Sequence, residues 1–497
     1  MNTPPHYDLL IRRGTVIDGT KAPRFDADIG ITAGRISAIG DLSLHSATEV
    51  IDASGRIVAP GFIDSHTHDD QALLAQGDMS FKVSQGVTTV IAGNCGISAA
   101  PLRPDMELPP PLNLLNSPKE GRFSTFAAYL QALRQTPASV NVAAMVGHST
   151  LRAVTMTDLD RAATPAEIGA MQALLEEALQ AGAIGLSTGT FYPTACKATT
   201  EEIIAVARPL SAHQGLYVTH MRDETDQVMA ALEETFLIGR ELGVPVVISH
   251  HKTMGPANFG KSTVTLPFIK ATMQHQCVGL DCYPYTAAST MIRSDRAMLE
   301  GRVLIASSEP HPECAGRDLD EIARQWGLSK EDAAKRLQPG SAIYFLMDEN
   351  DVQRILAFDE TMIGSDGIPL GESPHPRLWG TFPRVLGHYS RDVGLFPLET
   401  AIWKMTGLTA RNFGLAQRGS LKLGHHADLV IFDAERIRDA ATFEKPMQAA
   451  QGIDAVIVNG APSWRHGAHS GARCGQVITR TAPSSLRLPG QAHQHNL

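Results

Sequence analysis

The chain has 497 residues, 43% of them hydrophobic and 19% charged, which excludes an intrinsically disordered protein and suits a large α/β barrel with a satellite domain. Its net charge of -9 is spread along the sequence, so nothing favours nucleic acid or a membrane surface as a partner, and a small-molecule substrate fits better. Six scattered cysteines, no signal-peptide layout and no long apolar run predict a soluble cytoplasmic protein.

The first element group is a set of short strands over residues 7 to 59, where apolar and polar residues alternate between Gly and Asp turns. A similar pattern of short β-rich segments with Gly and Asn turns occurs near the other end of the chain, in GHHADLVIFDA and IDAVIVNGAPSWR. We therefore predict a small β-sandwich-like domain built from both termini. Its predicted limits are residues 1–60 and 415–482, with a C-terminal tail at 483–497.

Between these ends, apolar runs alternate with helical patterns, as expected for βα units around a parallel sheet. The helix that precedes the fourth strand is marked by Thr164 as N-cap, Pro165, the capping-box residue Glu167 and a terminal Gly182. The sequence thus predicts an α/β fold, a TIM-type (β/α)8 barrel over residues 61–414. The eight predicted strands are GFIDSHTH, TTVIAGNC, NVAAMVGH, AIGLSTG, LYVTH, PVVISHH, CVGLDCY and MIGSDG.

An insertion separates the seventh and eighth of these strands. Residues 285–350 carry two helical patterns, LDEIARQWG and SKEDAAKRL, and no barrel strand. We predict that this segment lies over the mouth of the barrel, where lids commonly close over active sites.

Residue types that bind metals follow the C-terminal ends of the predicted strands, which form the active-site rim of a TIM barrel. His66 and His68 are two apart on one strand, so both leave the same face. A catalytic zinc prefers imidazole and thiolate and needs three protein ligands, which Cys95, His220 and His250 would supply. Each residue alone is more simply a buried polar group. Together, and with Asp366 after the last strand, they predict a metal centre.

At these positions the sequence resembles the amidohydrolase superfamily. GFIDSHTH resembles the first-strand motif, and His220, His250 and Asp366 match the positions after strands five, six and eight. Many members carry a carboxylated lysine or a glutamate at strand four to bridge two metals. Here AIGLSTG offers Ser187 and Thr188 instead, so Cys95 is the candidate for the bridging ligand.

Five further motifs resemble the N-acyl-D-amino-acid deacylases, the D-aminoacylase group, in order and across nearly the whole chain: GNCGIS, GLSTGTFYP, THMRDE, SHHKTMGPANFGKS and IGSDG. The resemblance implies zinc-dependent hydrolysis of an N-acyl-D-amino acid to a carboxylate and the free D-amino acid. It also implies one tight zinc site and a weaker second site. Their ligands would be Cys95, His220 and His250 for the tight site, and His66, His68 and Asp366 for the weaker one.

One motif points elsewhere. GPANFGKS, residues 255–262, matches the pattern of a phosphate-binding P-loop, G-x-x-x-x-G-K-[ST]. A true P-loop connects a strand directly to the following helix, whereas Lys252, Thr253 and Met254 intervene here. We interpret the segment as a loop that shapes the substrate pocket.

The remaining predicted site residues concern proton transfer and substrate binding. Asp366 is placed to take a proton from water and pass it to the leaving amine. The α-carboxylate of an N-acyl amino acid calls for cations and hydrogen-bond donors. The candidates are Lys252, Arg296 and Arg377 with Tyr192, Tyr283 and Ser289. For the substrate side chain, the resemblance implies an apolar pocket of Phe191, Tyr344 and Met347 with Met298 or Leu299, suited to methionine, leucine or phenylalanine.

Three alternatives stay open. A cyclic amidase of the hydantoinase or dihydropyrimidinase type shares the barrel, the zinc and the strand-eight aspartate, but usually has the strand-four lysine. An N-acyl-D-glutamate or N-acyl-D-aspartate deacylase would need an added cation in the side-chain pocket, and the sequence shows no obvious one. A catalytically silent barrel would lack bound zinc. Selectivity for D over L substrates rests on the resemblance alone, and the oligomeric state is not predicted.

Overall fold

The structure, a computed structural model, describes residues 6–480. The tail predicted at 483–497 lies outside the described residues. The strands are β1 (His6–Val16), β2 (Phe25–Thr32), β3 (Arg35–Gly40), β4 (Ser46–Asp52), β5 (Ile57–Pro60), β6 (Phe62–Asp64), β7 (Val87–Ala92), β8 (Asn141–Ala144), β9 (Val146–Gly147), β10 (Gly185–Gly189), β11 (Leu216–His220), β12 (Val246–Ile248), β13 (Val278–Cys282), β14 (Ala288–Met291), β15 (Arg302–Ser308), β16 (Gly340–Phe345), β17 (Thr361–Ile363), β18 (Leu429–Phe432), β19 (Ile453–Val458), β20 (Ala461–Arg465) and β21 (Ala468–His469).

The α-helices are α1 (Ala72–Ala75), α2 (Ser80–Val83), α3 (Phe126–Gln135), α4 (His148–Thr155), α5 (Pro165–Ala181), α6 (Thr200–Ala207), α7 (Pro209–His213), α8 (Val228–Leu242), α9 (Ser262–Thr272), α10 (Leu319–Trp326), α11 (Lys330–Arg336), α12 (Glu349–Ala357), α13 (Arg377–Arg384), α14 (Leu398–Met405) and α15 (Gly407–Phe413). Val385–Asp392 continues α13 as a π-helix. Short 3-10 turns lie at Leu112–Leu115, Lys119–Gly121, Pro256–Asn258 and Pro312–Cys314. Within residues 6–480, none of the helices combines the length and the apolar character needed to cross a membrane.

The centre of the fold is the predicted TIM-type barrel, which is confirmed. Strands β6, β7 and β8 pair in parallel, and so do β9, β10, β11, β12, β13 and β17. Only Met145 separates β8 from β9, so the two form one barrel strand. A parallel bridge between Thr67 and Gly367 joins the ends of the first and last strands. Each of the eight predicted strands is present, and their residues are buried, as expected for a parallel sheet covered by helices.

The helix α5 shows how local sequence places an element on the barrel. Thr164 accepts a hydrogen bond from the Glu167 N–H, and the Glu167 carboxylate accepts one from the Thr164 N–H. This capping box satisfies two N–H groups that the first helical turn leaves free. Gly182 ends the helix at φ 119°, a conformation that favours glycine. Between these ends, Met171 and Leu175 are fully buried against the barrel core.

Both ends of the described chain contribute to a second sheet. Strands β1 to β5 and β18 to β21 form nine strands, and β5 pairs antiparallel with β18, which joins the two halves. An apolar cluster that includes Leu9, Ile31, Leu429 and Ile457 packs within this small domain. The exact limits 1–60 and 415–482 stay a prediction.

The insertion contains three strands that the sequence did not indicate. β14, β16 and β15 form an antiparallel sheet beside the predicted helices α10 and α11. Its apolar cluster extends to Met254 and Tyr283, which follow barrel strands β12 and β13. The insertion therefore packs on the mouth of the barrel. Closure as a lid stays a prediction.

Candidate metal centre and substrate pocket

Three site residues at the barrel mouth have strained backbones. Cys95 has φ 51°, His250 φ 34° and Asp366 φ 50°, all in the left-handed region that non-glycine residues rarely adopt. Each follows the C-terminal end of a barrel strand, where the chain turns sharply out of the sheet. Such strain persists when the surroundings enforce it, and it concentrates at functional sites.

These turns bring four buried side chains of metal-binding types together. One ligand atom each from His66, Cys95, His250 and Asp366 lies within 4.8 Å of the others. The Cys95 Sγ is 3.2 Å from His66 Nε2 and 3.3 Å from His250 Nε2. The Asp366 Oδ1 is 3.4 Å from His66 Nε2 and 3.1 Å from His68 Nε2. Thiolate, imidazole and carboxylate at such distances could surround one or two metal ions.

His220 joins the centre through His250. Its ring meets the His250 ring edge-on with 4.4 Å between centroids, and the two form a second group of ligand types with Glu224. The His220 side chain is buried, yet neither ring nitrogen has a hydrogen-bond partner among the described residues. Buried polar atoms without partners are rare, and a metal ion bound to one of the His220 ring nitrogens would supply such a partner. The structure thus gathers all six predicted ligands, while their division into a tight and a weaker site stays a prediction.

The electrostatics of the centre fit a metal ion. Burial holds the pKa of His220 and of His250 well below the usual value, which keeps the imidazoles neutral and able to coordinate. Burial raises the pKa of the Cys95 thiol well above its usual value, so the thiolate needs a cation beside it. Burial opposes ionisation of Asp366 too, but the Arg377 guanidinium and the neighbouring histidine rings together outweigh it, and the pKa of this carboxyl is well below its usual range. Neutral imidazole, a thiol that needs a cation and an ionised carboxylate form a donor set suited to zinc.

Arg377, one of the cations predicted to bind the substrate carboxylate, lies beside the predicted metal ligand Asp366. Its side chain is fully buried, with Nη2 2.9 Å from Asp366 Oδ2 and donating to the Ser289 carbonyl oxygen at 3.0 Å. The guanidinium lies 4.6 Å from the centroid of the Tyr283 ring. Its Nε and Nη1 have no hydrogen-bond partner among the described residues. The three N–H groups on these two nitrogens therefore remain for an anion beside the metal ligands.

The other predicted carboxylate ligands differ in position. The Lys252 ammonium is buried and donates to Glu224 Oε1 at 2.8 Å and to the His250 carbonyl oxygen at 3.0 Å. Tyr192 packs edge-on against His220, with ring centroids 4.9 Å apart. Arg296 is exposed on the insertion. The structure thus brings Lys252 and Tyr192 to the metal ligands and leaves Arg296 at the surface.

The predicted side-chain pocket joins the barrel to the insertion. Phe191 stacks on His220 at 5.2 Å and 20°. The Tyr283 hydroxyl contacts the Met347 sulfur at 3.9 Å. The Tyr344 hydroxyl donates to the Met291 carbonyl oxygen, which makes Tyr344 part of the core of the insertion. The alternatives Met298 and Leu299 are buried in that same core.

A cation that the sequence analysis missed lies beside this pocket. The guanidinium carbon of Arg293 is 4.7 Å from the centroid of the Phe191 ring, and its Nε donates to Asp295 at 2.8 Å. Arg293 is half-buried. Because its position depends on the path of the loop after β14, no spacing rule indicated it, and Arg296 three residues later was predicted instead.

The comparison with known proteins decides the family. The pattern of the amidohydrolase family matches residues 49–266 and 288–463. The chain belongs to the amidohydrolase family. A D-aminoacylase of Alcaligenes xylosoxydans xylosoxydans is 62% identical over 96% of this chain and 98% of its own length.

Solved structures agree with this amidohydrolase fold. A D-aminoacylase structure, studied for the role of its binuclear metal centre, has a TM-score of 0.94 at 60% identity and covers 95% of this chain and 100% of its own. The N-acyl-D-glutamate deacylase of Bordetella bronchiseptica, solved with zinc and a phosphonate inhibitor, has a TM-score of 0.92 at 46% identity. It covers 96% of this chain and 100% of its own. The predicted resemblance to this group of amidohydrolases is confirmed.

Glu224, the last residue of the THMRDE motif, is a buried residue of the amidohydrolase centre for which the sequence predicted no role. Its Oε1 lies 3.0 Å from His250 Nδ1. The Lys252 ammonium donates to this same Glu224 oxygen at 2.8 Å and lies 2.7 Å from His250 Nδ1, so the three residues form one buried network. This network lies behind Nε2, the atom of His250 that faces Cys95. The position of Glu224 four residues after His220 was the available signal. Glu224 therefore supports His250 together with Lys252.

Replacing Glu224 with glutamine is expected to weaken metal binding by about 10- to 100-fold, the usual effect of losing a carboxylate partner of a ligand histidine. Competition with a chromogenic chelator measures it. Glu234→Gln is the matched control, because Glu234 pairs with Arg222 at 2.7 Å and contacts no ligand histidine. Equal metal affinity in the two variants would contradict the assignment.

The P-loop-like segment has a structural explanation in this amidohydrolase. The main-chain N–H groups of Gly260 and Ser262 donate to the carboxylate of Asp351, at 2.6 and 3.3 Å. Asp351 belongs to α12, so a side chain of the protein occupies the position of an anion at these amides. The segment ties the loop that follows His250 and Lys252 to α12, and its predicted role in shaping the pocket stays a prediction.

Proposed function

We propose that this amidohydrolase cleaves the amide bond of N-acyl-D-amino acids and releases a carboxylate and the free D-amino acid. The observation that carries the proposal is the juxtaposition of the buried Cys95, His250 and Asp366 cluster with the two unpartnered nitrogens of Arg377, Nε and Nη1. A metal centre for an amide therefore lies beside a receptor for an α-carboxylate. The similarity to D-aminoacylase supports the choice of substrate.

We propose zinc as the metal. Cys95, His220 and His250 would hold the tight ion, while His66, His68 and Asp366 would complete a weaker site. When bound, zinc supplies a Lewis acid that polarises the acyl carbonyl and acidifies water. The donor set supports this assignment, since thiolate and imidazole together favour zinc over magnesium or calcium.

The residues of the chain supply the remaining chemistry. The ionised Asp366 accepts a proton from the attacking water and then donates it to the leaving amine nitrogen. Arg377 orients the substrate through a charge-assisted hydrogen bond from Nε or Nη1 to the α-carboxylate. The burial of these groups excludes bulk water and strengthens each of these interactions.

For the substrate side chain we propose a hydrophobic residue, because the Phe191 ring packs on His220, the Tyr283 ring lies 6.5 Å from that of His250, and Met347 contacts Tyr283. An acidic side chain is the second candidate, and Arg293 is the observation that favours it. Its guanidinium lies on Phe191, where a substrate carboxylate could displace Asp295. None of the six cysteines, all of which lie within residues 6–480, forms a disulfide, and this supports a reducing, cytoplasmic setting.

Release of free amine by zinc-quantified protein tests the proposal. The substrates are N-acetyl-D-methionine, N-acetyl-L-methionine, N-acetyl-D-glutamate and a hydantoin. We expect activity with N-acetyl-D-methionine above all others. Preference for D-glutamate would establish the acidic pocket, cleavage of the hydantoin would establish a cyclic amidase, and bound zinc without any activity would reject the proposed substrate class.

Arg293→Met separates the two side-chain candidates further. We expect kcat/KM for N-acetyl-D-methionine to stay near the wild-type value, while any activity on N-acetyl-D-glutamate falls about fivefold, as for a partly exposed ion pair. Arg302→Met is the control, since Arg302 lies over Phe345 at 4.9 Å elsewhere on the insertion. A fall with methionine alone would show that Arg293 instead shapes the apolar pocket.

A further inference from the structure

A fully buried lysine lies behind the metal centre. Lys82, on α2, has its Nζ 2.7 Å from Asp64 Oδ2, 3.2 Å from Asp69 Oδ2 and 3.0 Å from Ser365 Oγ. A buried ammonium requires such partners, because burying an isolated charge is very unfavourable. Asp64 ends the first barrel strand, Asp69 follows His68 and Ser365 precedes Asp366. Lys82 thus contacts the neighbours of three predicted metal ligands and none of the ligands.

Asp64 connects the first and last barrel strands. Its Oδ1 accepts hydrogen bonds from the Ser365 N–H at 2.7 Å and from the His66 N–H at 3.3 Å. The Asp366 N–H in turn donates to the His66 carbonyl oxygen at 2.8 Å. Lys82 holds the other oxygen of this carboxylate. The strained turn at Asp366 is therefore fixed against the segment that carries His66.

We propose that Lys82 is a positioning residue of the reaction, which acts through Asp64 and Ser365 to hold His66 and Asp366 in the geometry of the metal centre. The expected effect of Lys82 on turnover rests on the proposed function. Its effect on metal binding does not. Losing Lys82 leaves the Asp64 carboxylate buried without its cation, and the two strand ends then lose their common anchor.

A second buried lysine provides a matched control. Lys404, on α14, contacts the N-terminal end of β17, the barrel strand that precedes Ser365 and Asp366. Its Nζ donates to the carbonyl oxygens of Phe358 and, at 3.4 Å, Thr361. Both lysines are fully buried, but Lys404 lies at the end of the strand opposite to Asp366. A general effect of replacing a buried lysine would appear in both variants, whereas a positioning effect would appear only in Lys82→Met.

The experiment compares Lys82→Met and Lys404→Met with the wild type. Zinc per chain is measured after dialysis, and kcat and KM are measured with N-acetyl-D-methionine at a temperature where circular dichroism shows folded protein. We expect Lys82→Met to lose zinc and to lower kcat about 10- to 100-fold with little change in KM, the range for residues that support metal ligands. Lys404→Met is expected to keep both. Wild-type zinc content and kcat in Lys82→Met would overturn the proposal.

Two further variants keep the test decisive if Lys82→Met folds poorly. Lys82→Met/Asp64→Asn removes both charges, and we expect it to regain thermal stability without regaining kcat. Ser365→Ala removes one acceptor of Lys82, and we expect a smaller fall in kcat in the same direction. Full kcat in either variant would overturn the proposal. A wild type without amide cleavage would reject the proposed function, while zinc content would still test Lys82.

Discussion

Replacing Asp366 with asparagine is expected to lower kcat for N-acetyl-D-methionine by about 100-fold or more, the contribution typical of a general acid–base residue. Asparagine keeps the size of the side chain and one oxygen, but it cannot accept the proton from water. The pKa of Asp366 is well below its usual range, so the wild-type carboxylate is ionised before the reaction begins. Steady-state kinetics with metal analysis measures the effect, and we expect the tight metal to remain bound.

A second buried aspartate controls for the loss of a charge. Asp428 forms an ion pair with Arg418 in the terminal β domain, much as Asp366 pairs with Arg377, and both aspartates are 6% exposed. Asp428→Asn should lower the thermal stability and leave kcat unchanged. A kcat for Asp366→Asn close to that of the wild type would remove this residue from the proton transfer.

The strands and the metal ligands could be predicted because their signals are local. An apolar run that ends in His, Cys or Asp gives both the strand and the rim residue, as LYVTH does for His220. Parallel βα units then bring the rims together without knowledge of loop paths. Strain could not be predicted, since the left-handed backbones of Cys95 and Asp366 result from tertiary contacts.

The positions of the candidate substrate-binding residues depend on loop geometry, which the sequence predicts less well than it predicts the barrel strands. Arg296 and Arg293 are three residues apart, yet the first is exposed and the second lies on Phe191. Lys252 contacts Glu224 and His250 in the structure, and its predicted role in substrate binding stays a prediction. The strands of the insertion were also missed, because short apolar runs such as β15 do not by themselves distinguish strand from helix.

Replacing Cys95 with alanine is expected to abolish activity by removing the metal. The Cys95 Sγ is within 3.3 Å of both His66 Nε2 and His250 Nε2, so its loss removes the ligand between the two predicted sites. We expect zinc affinity to fall by more than about 100-fold, beyond the effect of losing a residue that only supports a ligand. Equilibrium dialysis against zinc buffers measures the affinity, and amine release measures the activity.

Cys282→Ala is the matched control for this variant. Cys282 is also buried at the end of a barrel strand, where its thiol donates to the Tyr283 carbonyl oxygen. Burial raises the pKa of Cys282 to about 12, so this residue remains a thiol, and its replacement should leave zinc binding unchanged.

The Cys95 thiol resists ionisation as well, and only a bound cation reverses that. Zinc binding must therefore release the Cys95 proton, and the wild-type affinity should decrease as the pH falls. Cys95→Ala should lose much of that pH dependence, whereas full zinc content in Cys95→Ala after dialysis would exclude the thiolate as a ligand.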